Sequence, residues 1–242
     1  MGLKESGLRG SLRSVSTGVS TIPDSGMFQD PIYQWTGPAV EVNDGTSPFD
    51  WPESLAELPD ATAVGGPTFR DDVSGLSASE YDGVDDGHTT SDLDSQAPTG
   101  DTGVSIATTV RPRSSSGTQL IAYYGDDAGD GENFYVRVES GEYAVVTSDL
   151  GVVTGGSVTT DTWETVGATY DPSGPEHRLF VNGSQVASSN IGSVSLVDTE
   201  IRFATDPFGN DWYLDGYVHD AVYSATTESE SAFADYHNDR LG

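Results

Sequence analysis

Asp161-Thr-Trp163-Glu-Thr-Val166-Gly-Ala-Thr-Tyr170-Asp171, a short polar loop, and then Arg178-Leu-Phe180-Val181-Asn182-Gly183-Ser-Gln-Val186-Ala-Ser188 decide the fold of this chain. Trp163, Val166, Ala168 and Tyr170 do not keep one strict register, but the run is rich in aromatic and β-branched residues and is closed by Pro172, Gly174 and Pro175, so it reads as a strand. A second strand follows, with Leu179 and Val181 on one face and Phe180 on the other. Asn182-Gly183 then supplies the two positive-φ residues that a type I′ hairpin turn requires.

Working outward, the segments 103–110, 119–124, 133–138 and 142–146 give further strands, the last two joined around Ser140-Gly141. Many short strands separated by turn residues at roughly 8 to 12 residue spacing are the mark of a β-sandwich or barrel. Near the C-terminus, Thr227-Glu-Ser-Glu230 fits a capping box, with Ala232, Phe233 and Tyr236 at helical spacing after it, which predicts a short closing helix.

The order of tryptophan strand, Thr-Tyr-Asp turn, short strand and Asn-Gly hairpin resembles the laminin G-like members of the concanavalin A-like lectin/glucanase superfamily. Upstream, Glu80-Tyr81-Asp82-Gly83-Val84-Asp85-Asp86-Gly87 is similar to the F-D-G-x-D-D segment that opens the family's main strand run. Downstream, Tyr213-Leu-Asp-Gly-Tyr-Val-His-Asp-Ala-Val-Tyr223 is similar to its closing strand. The resemblance implies an all-β, antiparallel jelly-roll sandwich over residues 28–242, in which Ile32-Tyr33-Gln34-Trp35 is a first strand paired with the last. Residues 36–67 are a Pro-rich, acidic insertion, read equally as an interface or as a loop packed over one sheet, with Trp51, Leu55 and Leu58 making a helical turn or a pinned loop.

The formal charge of −29 and pI near 4.1 exclude nucleic acid as a partner, because a phosphate-binding surface needs clustered Lys and Arg. They also speak against an anionic membrane surface, and nowhere do about twenty apolar residues run together to span a bilayer. An aromatic content of 10% with repeated β-branched runs separates the chain from acidic disordered sequences. So acidic a surface repels itself in dilute buffer, whereas molar salt shrinks the Debye length to about 3 Å. The expected source is therefore a halophile, a haloarchaeon or one of its viruses. With no Cys, thiol chemistry and disulfides are excluded.

Residues 1–27 differ in charge from the rest: over the first 22, Lys4, Arg9 and Arg13 stand against Glu5 alone, with Leu3, Leu8 and Leu12 among them. They read either as a disordered N-terminus or, the reading preferred, as a docking arm for an acidic neighbour, a sister subunit or another protein of an assembly. They lack the apolar run of a secretory signal, so export by the ordinary route is not expected.

Two loops carry candidate binding chemistry. Asp126, Asp127, Asp130, Glu132 and Asn133 could supply Ca²⁺ with several oxygens, although Ala128 stands where an acid or amide is expected between them. Trp212, flanked by Asp206, Asn210 and Asp211, has the chemistry of sugar recognition, an aromatic face to stack on a pyranose with acceptors for its hydroxyls, and the same residues serve equally as a loop pinned by Trp212. The E-x-D-x-x-E run that glucanases of this fold carry does not occur, so no catalytic residue is assigned and a non-enzyme is expected. The function expected is a virion structural protein of a halophilic tailed virus, such as a capsid spike, turret or tail fibre. It would assemble as a homo-oligomer with other virion proteins through the arm and would display a lectin-like domain to a host glycan. The alternatives are a cell-surface or secreted carbohydrate-binding protein of a haloarchaeon and, behind it, a glycoside hydrolase.

Overall fold

A computed structural model describes residues 28, 31–36, 43–52, 60–91, 93 and 97–242; the arm at 1–27, and Leu55 and Leu58 of the insertion, lie outside the described residues. Two antiparallel sheets pack face to face. One has the strand order β13 (Ser184–Asn190), β12 (Glu176–Val181), β11 (Glu164–Asp171), β6 (Val104–Pro112), β15 (Asp215–Ser224), β4 (Leu76–Asp82) and β3 (Thr68–Val73). The other has the order β10 (Gly151–Ser157), β9 (Glu142–Thr147), β8 (Asn133–Glu139), β7 (Thr118–Gly125), β14 (Glu200–Phe203), β5 (Gly87–Ser91) and β2 (Thr62–Val64). This is the jelly-roll sandwich the sequence predicts. β1 (Pro31–Trp35) pairs with residues 221–224 of β15, so the first and last strands meet as expected. The same edge of β15 carries β4 over residues 215–218.

Alternation sets the layers. Ile106, Val110, Val136, Val145, Val166, Leu179 and Tyr223 turn inward to one core, joined by Trp35 and Phe203. The described part of the insertion contributes to this core. Trp51 bridges to Ala61, is fully buried, and donates its indole N–H to the Thr36 carbonyl at 3.0 Å. Phe49 packs against Phe69 and His88.

The β12–β13 hairpin turns at Asn182 and Gly183, with φ of 49° and 76°, the left-handed pair that its sequence demands. Phe180, pointing away from the core, is covered by the one helix among the described residues, α1 (Glu230–Leu241), whose Phe233 stacks on it at 4.0 Å between ring centroids. Phe28, Val222 and Tyr236 complete this second apolar layer on the outside of the larger sheet. The helix begins later than the sequence predicts. Its N-cap is Ser229, which accepts from the Ala232 N–H, while Thr227 instead donates its hydroxyl to the Tyr170 carbonyl at 2.8 Å and Glu230 accepts from the Gln185 N–H. Ala232, Phe233 and Tyr236 are its buried residues, as the spacing predicts.

Candidate functional site

The outer face of the smaller sheet is unusually aromatic. On β8, Phe134, Val136 and Val138 face the core, so Asn133, Tyr135 and Arg137 face out. Tyr135 joins Leu120, Tyr123, Ala144 and Val146 in a third apolar cluster, against which Phe208 and Trp212 pack from the loop after β14.

That loop is braced by its own side chain. Asp206, 8% exposed, accepts from the Phe208 N–H at 2.8 Å through one oxygen and from the Asn210 N–H through the other. Asp211 takes a left-handed φ of 59°, and the Trp212 carbonyl accepts from the Leu120 N–H at 2.9 Å, tying the loop to β7. Arg137 lies over the Trp212 ring at 4.9 Å and over the Tyr135 ring at 5.8 Å, and pairs with Glu139 at 2.5 Å. Guanidinium stacking of this kind contributes about 1–2 kcal/mol when desolvated, and Arg137 is only 8% exposed.

Tyr135, Arg137, Phe208 and Trp212 form one wall of a groove of about 490 Å³. Its other wall is the β9–β10 turn, with Ser148, Asp149, Leu150 and Val152, and its polar rim includes Asp127 and Asn210. The structure therefore joins two stretches that the sequence treats separately, Asp127 from the acidic loop and Asn210 with Trp212 from the aromatic one. Asn133, fully buried, staples the acidic loop to the turn: its amide donates to the Asp126 carbonyl and to the Ser148 hydroxyl, both at 2.9 Å, and accepts from the Ser148 N–H at 2.9 Å. Asp206 and Asp211 are not among the groove's lining residues. Tyr135, Arg137, Ser148 and Asp149 are, and sequence reasoning missed them; the outward positions of β8, read at period two, carry the signal for Tyr135 and Arg137.

The carboxylates of the 126–133 loop are not drawn together. Asp126 accepts from the Ala128 N–H at 3.1 Å and from the Thr199 hydroxyl at 3.2 Å, while Asp127 and Asp130 are exposed. Among the described residues, the acidic group whose oxygens do converge, within 4.8 Å, is Asp82, Asp85 and Asp86. Asp86 is held by the Gly66 and Asp82 N–H groups, and burial, with Asp82 and Asp85 nearby, raises its carboxyl above the usual range.

Residues 82–230 match the family profile described as the concanavalin A-like lectin/glucanases superfamily, and the chain belongs to that superfamily. No curated protein matches the sequence. Among solved structures the chain is similar to domain 4 of AbnA, a GH43 extracellular arabinanase from Geobacillus stearothermophilus, in complex with arabinotriose. The identity is 12%, the TM-score 0.60, and the match covers 80% of this chain and 98% of that one. It is also similar to the binding domain of botulinum neurotoxin serotype G (12% identity, TM-score 0.63), covering 86% of this chain and half of that one, 50%. A Trypanosoma rangeli sialidase matches at 10% identity and TM-score 0.57, over 87% of this chain and 33% of its own length. At these identities the likeness is one of fold.

Proposed function

We propose that the chain is a carbohydrate-binding display domain, a binding module rather than a hydrolase, which takes glycan in the groove between Trp212 and the β9–β10 turn. The observation that carries this reading is the wall of Tyr135, Phe208 and Trp212 with Arg137, Asp127, Asp149 and Asn210 around it. Aromatic faces match the C–H faces of a pyranose, and a mixed set of donors and acceptors matches its hydroxyls. Asp206 and Asn133 brace the two loops before any ligand arrives, which lowers the ordering cost of binding. The similar structures lend support at the level of their printed descriptions, one being in complex with arabinotriose and another with a difluorinated sugar acid.

The setting proposed is the surface of a halophilic virus, in which residues 1–27 dock the domain to the particle through Leu3, Lys4, Leu8, Arg9, Leu12 and Arg13. Phe28, the residue that follows, packs on Phe233 and Tyr236 against the larger sheet, on the side opposite the groove. A chain anchored there presents its groove outward. A glycan array probed with the full protein and with Trp212→Ala tests the binding role: ligands held by the first and lost by the second support it, and identical profiles, or no ligand for either, sink it. Immunogold labelling of intact particles tests the setting.

A further inference from the structure

Arg111 stands apart among the arginines of this acidic chain. Arg70, Arg113, Arg137, Arg178, Arg202 and Arg240 each pair with a carboxylate, and Arg111, among the described residues, does not. It lies half-buried on the outer face of the larger sheet, opposite Tyr217 in the β6–β15 register, with its guanidinium 5.9 Å from the centre of that ring. Its Nε is buried without a partner. Trp163 flanks the same ring at 6.5 Å, and Arg113 lies over it at 5.1 Å. Arg, Tyr and Trp grouped on one surface are the residues that dominate protein interfaces.

Next to this platform lies its chemical opposite. Tyr217 pairs across the strands with Glu80, and Asp215 with Asp82, so the 82–86 turn starts two strand spacings across and two residues along from Arg111, roughly 12 Å away. Among the described residues, Arg111 makes no ion pair with that turn within one chain. The turn carries Asp82, Asp85 and Asp86, and between them Val84, 66% exposed, the most exposed large apolar side chain among the described residues.

We propose that this face is where a second copy of the chain docks. A two-fold axis between the two features sets Arg111 of each copy against the 82–86 turn of the other, and Val84 against the rings of Trp163 and Tyr217. Such a contact is self-complementary, as a two-fold interface must be. Charge selects the occupant. The chain carries 39 acidic residues against 10 basic ones, so a second copy offers the carboxylates that Arg111 lacks. Two bodies of charge −29 repel at long range, but molar salt screens that repulsion to about 3 Å while leaving side chains in contact. Arg suits the role because its planar fork binds a carboxylate with two hydrogen bonds.

Sedimentation equilibrium of the full chain in molar salt tests this contact. The expected result is a reversible dimer, with Arg111→Glu and Val84→Asp each weakening self-association about thirtyfold or more. The exchanged pair Arg111→Glu with Asp85→Arg should regain the dimer, because opposite charges again meet. Val84 is exposed, so circular dichroism of Val84→Asp should be unchanged. Trp212→Ala, on the other sheet, should leave the mass as it is, which separates this contact from glycan binding. A monomer at every concentration overturns the proposal, as does a dimer indifferent to Arg111→Glu and Val84→Asp. A dimer lost to a chelator instead would assign the acidic turn to a metal and overturn it too.

Discussion

Asp220, wholly buried in β15, is bound by Arg240 from the last turn of α1, so the helix is fastened to the sheet by an ion pair as well as by its aromatic face. Tyr236 donates to the same carboxylate at 2.6 Å, and the Thr109 N–H does so at 3.2 Å. Burial works against this carboxylate's charge, yet Arg240, His219 and the hydrogen bonds hold its pKa below the usual value. Replacing it by Asn leaves Arg240 with only the exposed Asp239 as an ionic partner. Asp220→Asn should cost about 3–5 kcal/mol of stability, and Tyr236→Phe about 1 kcal/mol, in denaturant titrations. Equal losses for the two would refute the network.

Gly167 is where the helix and sheet come closest. A Cβ there would lie 2.3 Å from the Phe233 ring, while the ring itself is trapped on Phe180. Gly167→Ala should destabilise by roughly 1–3 kcal/mol through overpacking, although alanine suits a strand better than glycine. A stabilised variant would mean that α1 can shift at no cost.

Two buried histidines set an acid limit. His88 contacts the Tyr81 hydroxyl at 3.0 Å and the Phe49 carbonyl at 2.8 Å, and His177 contacts the Thr147 hydroxyl at 3.0 Å. Burial lowers both to about 4. Between pH 6.5 and 4 the unfolded chain therefore binds protons that the folded chain refuses, so stability falls as pH falls through that window. Each histidine should contribute up to about 3 kcal/mol to the loss. Asp220, whose folded pKa is depressed, adds a further loss as its carboxylate is protonated below the range of an ordinary Asp. Unfolding free energies at constant salt from pH 7 to 4 should show the slope. Imidazole NMR signals of His88 and His177 that titrate near 6.5 would disprove it.

In the groove, Arg137 and Trp212 act together. Arg137→Met keeps the stem's packing and removes the cation stacked on Trp212. It should weaken glycan binding by roughly tenfold and cost about 1–2 kcal/mol of stability, because the stacking and the pair with Glu139 are lost, whereas Trp212→Ala should remove most of the binding. Calorimetry with a ligand found on the array gives both numbers. Unaltered affinity in Arg137→Met would reduce that residue to a packing role.

The hairpin at Asn182-Gly183, the inward and outward split of Leu179 and Phe180, and the pairing of residues 31–35 with the last strand were legible because each rests on local chemistry or on a familiar motif order. β10 was not legible. Gly151, Gly155 and Gly156 lie within its seven residues, and what makes it a strand is its partner β9 and the tight approach of Gly155 to Ala187. In the site, Trp212 and Asn210 were legible as an aromatic in a polar loop. Asp206 was read as a ligand acceptor, but a loop turning this sharply needs acceptors for its own N–H groups, and Asp206 supplies them. The helix cap moved from Thr227 to Ser229 because Thr227 finds a partner in the Tyr170 carbonyl, which no local pattern reveals.

β15 lies between β6 on one side and β1 with β4 on the other, yet it is the last strand in the chain. On a ribosome, therefore, the larger sheet stays in two halves until residues 215–224 have emerged, with the edges of β6 and β4 open to other chains in the meantime. Pairing residues so far apart in sequence is slow, because the loop entropy must be met before the contacts form. A nascent chain of this protein is thus most exposed to misassociation until β15 has emerged, and a chain cut before residue 215 should be insoluble rather than a smaller domain.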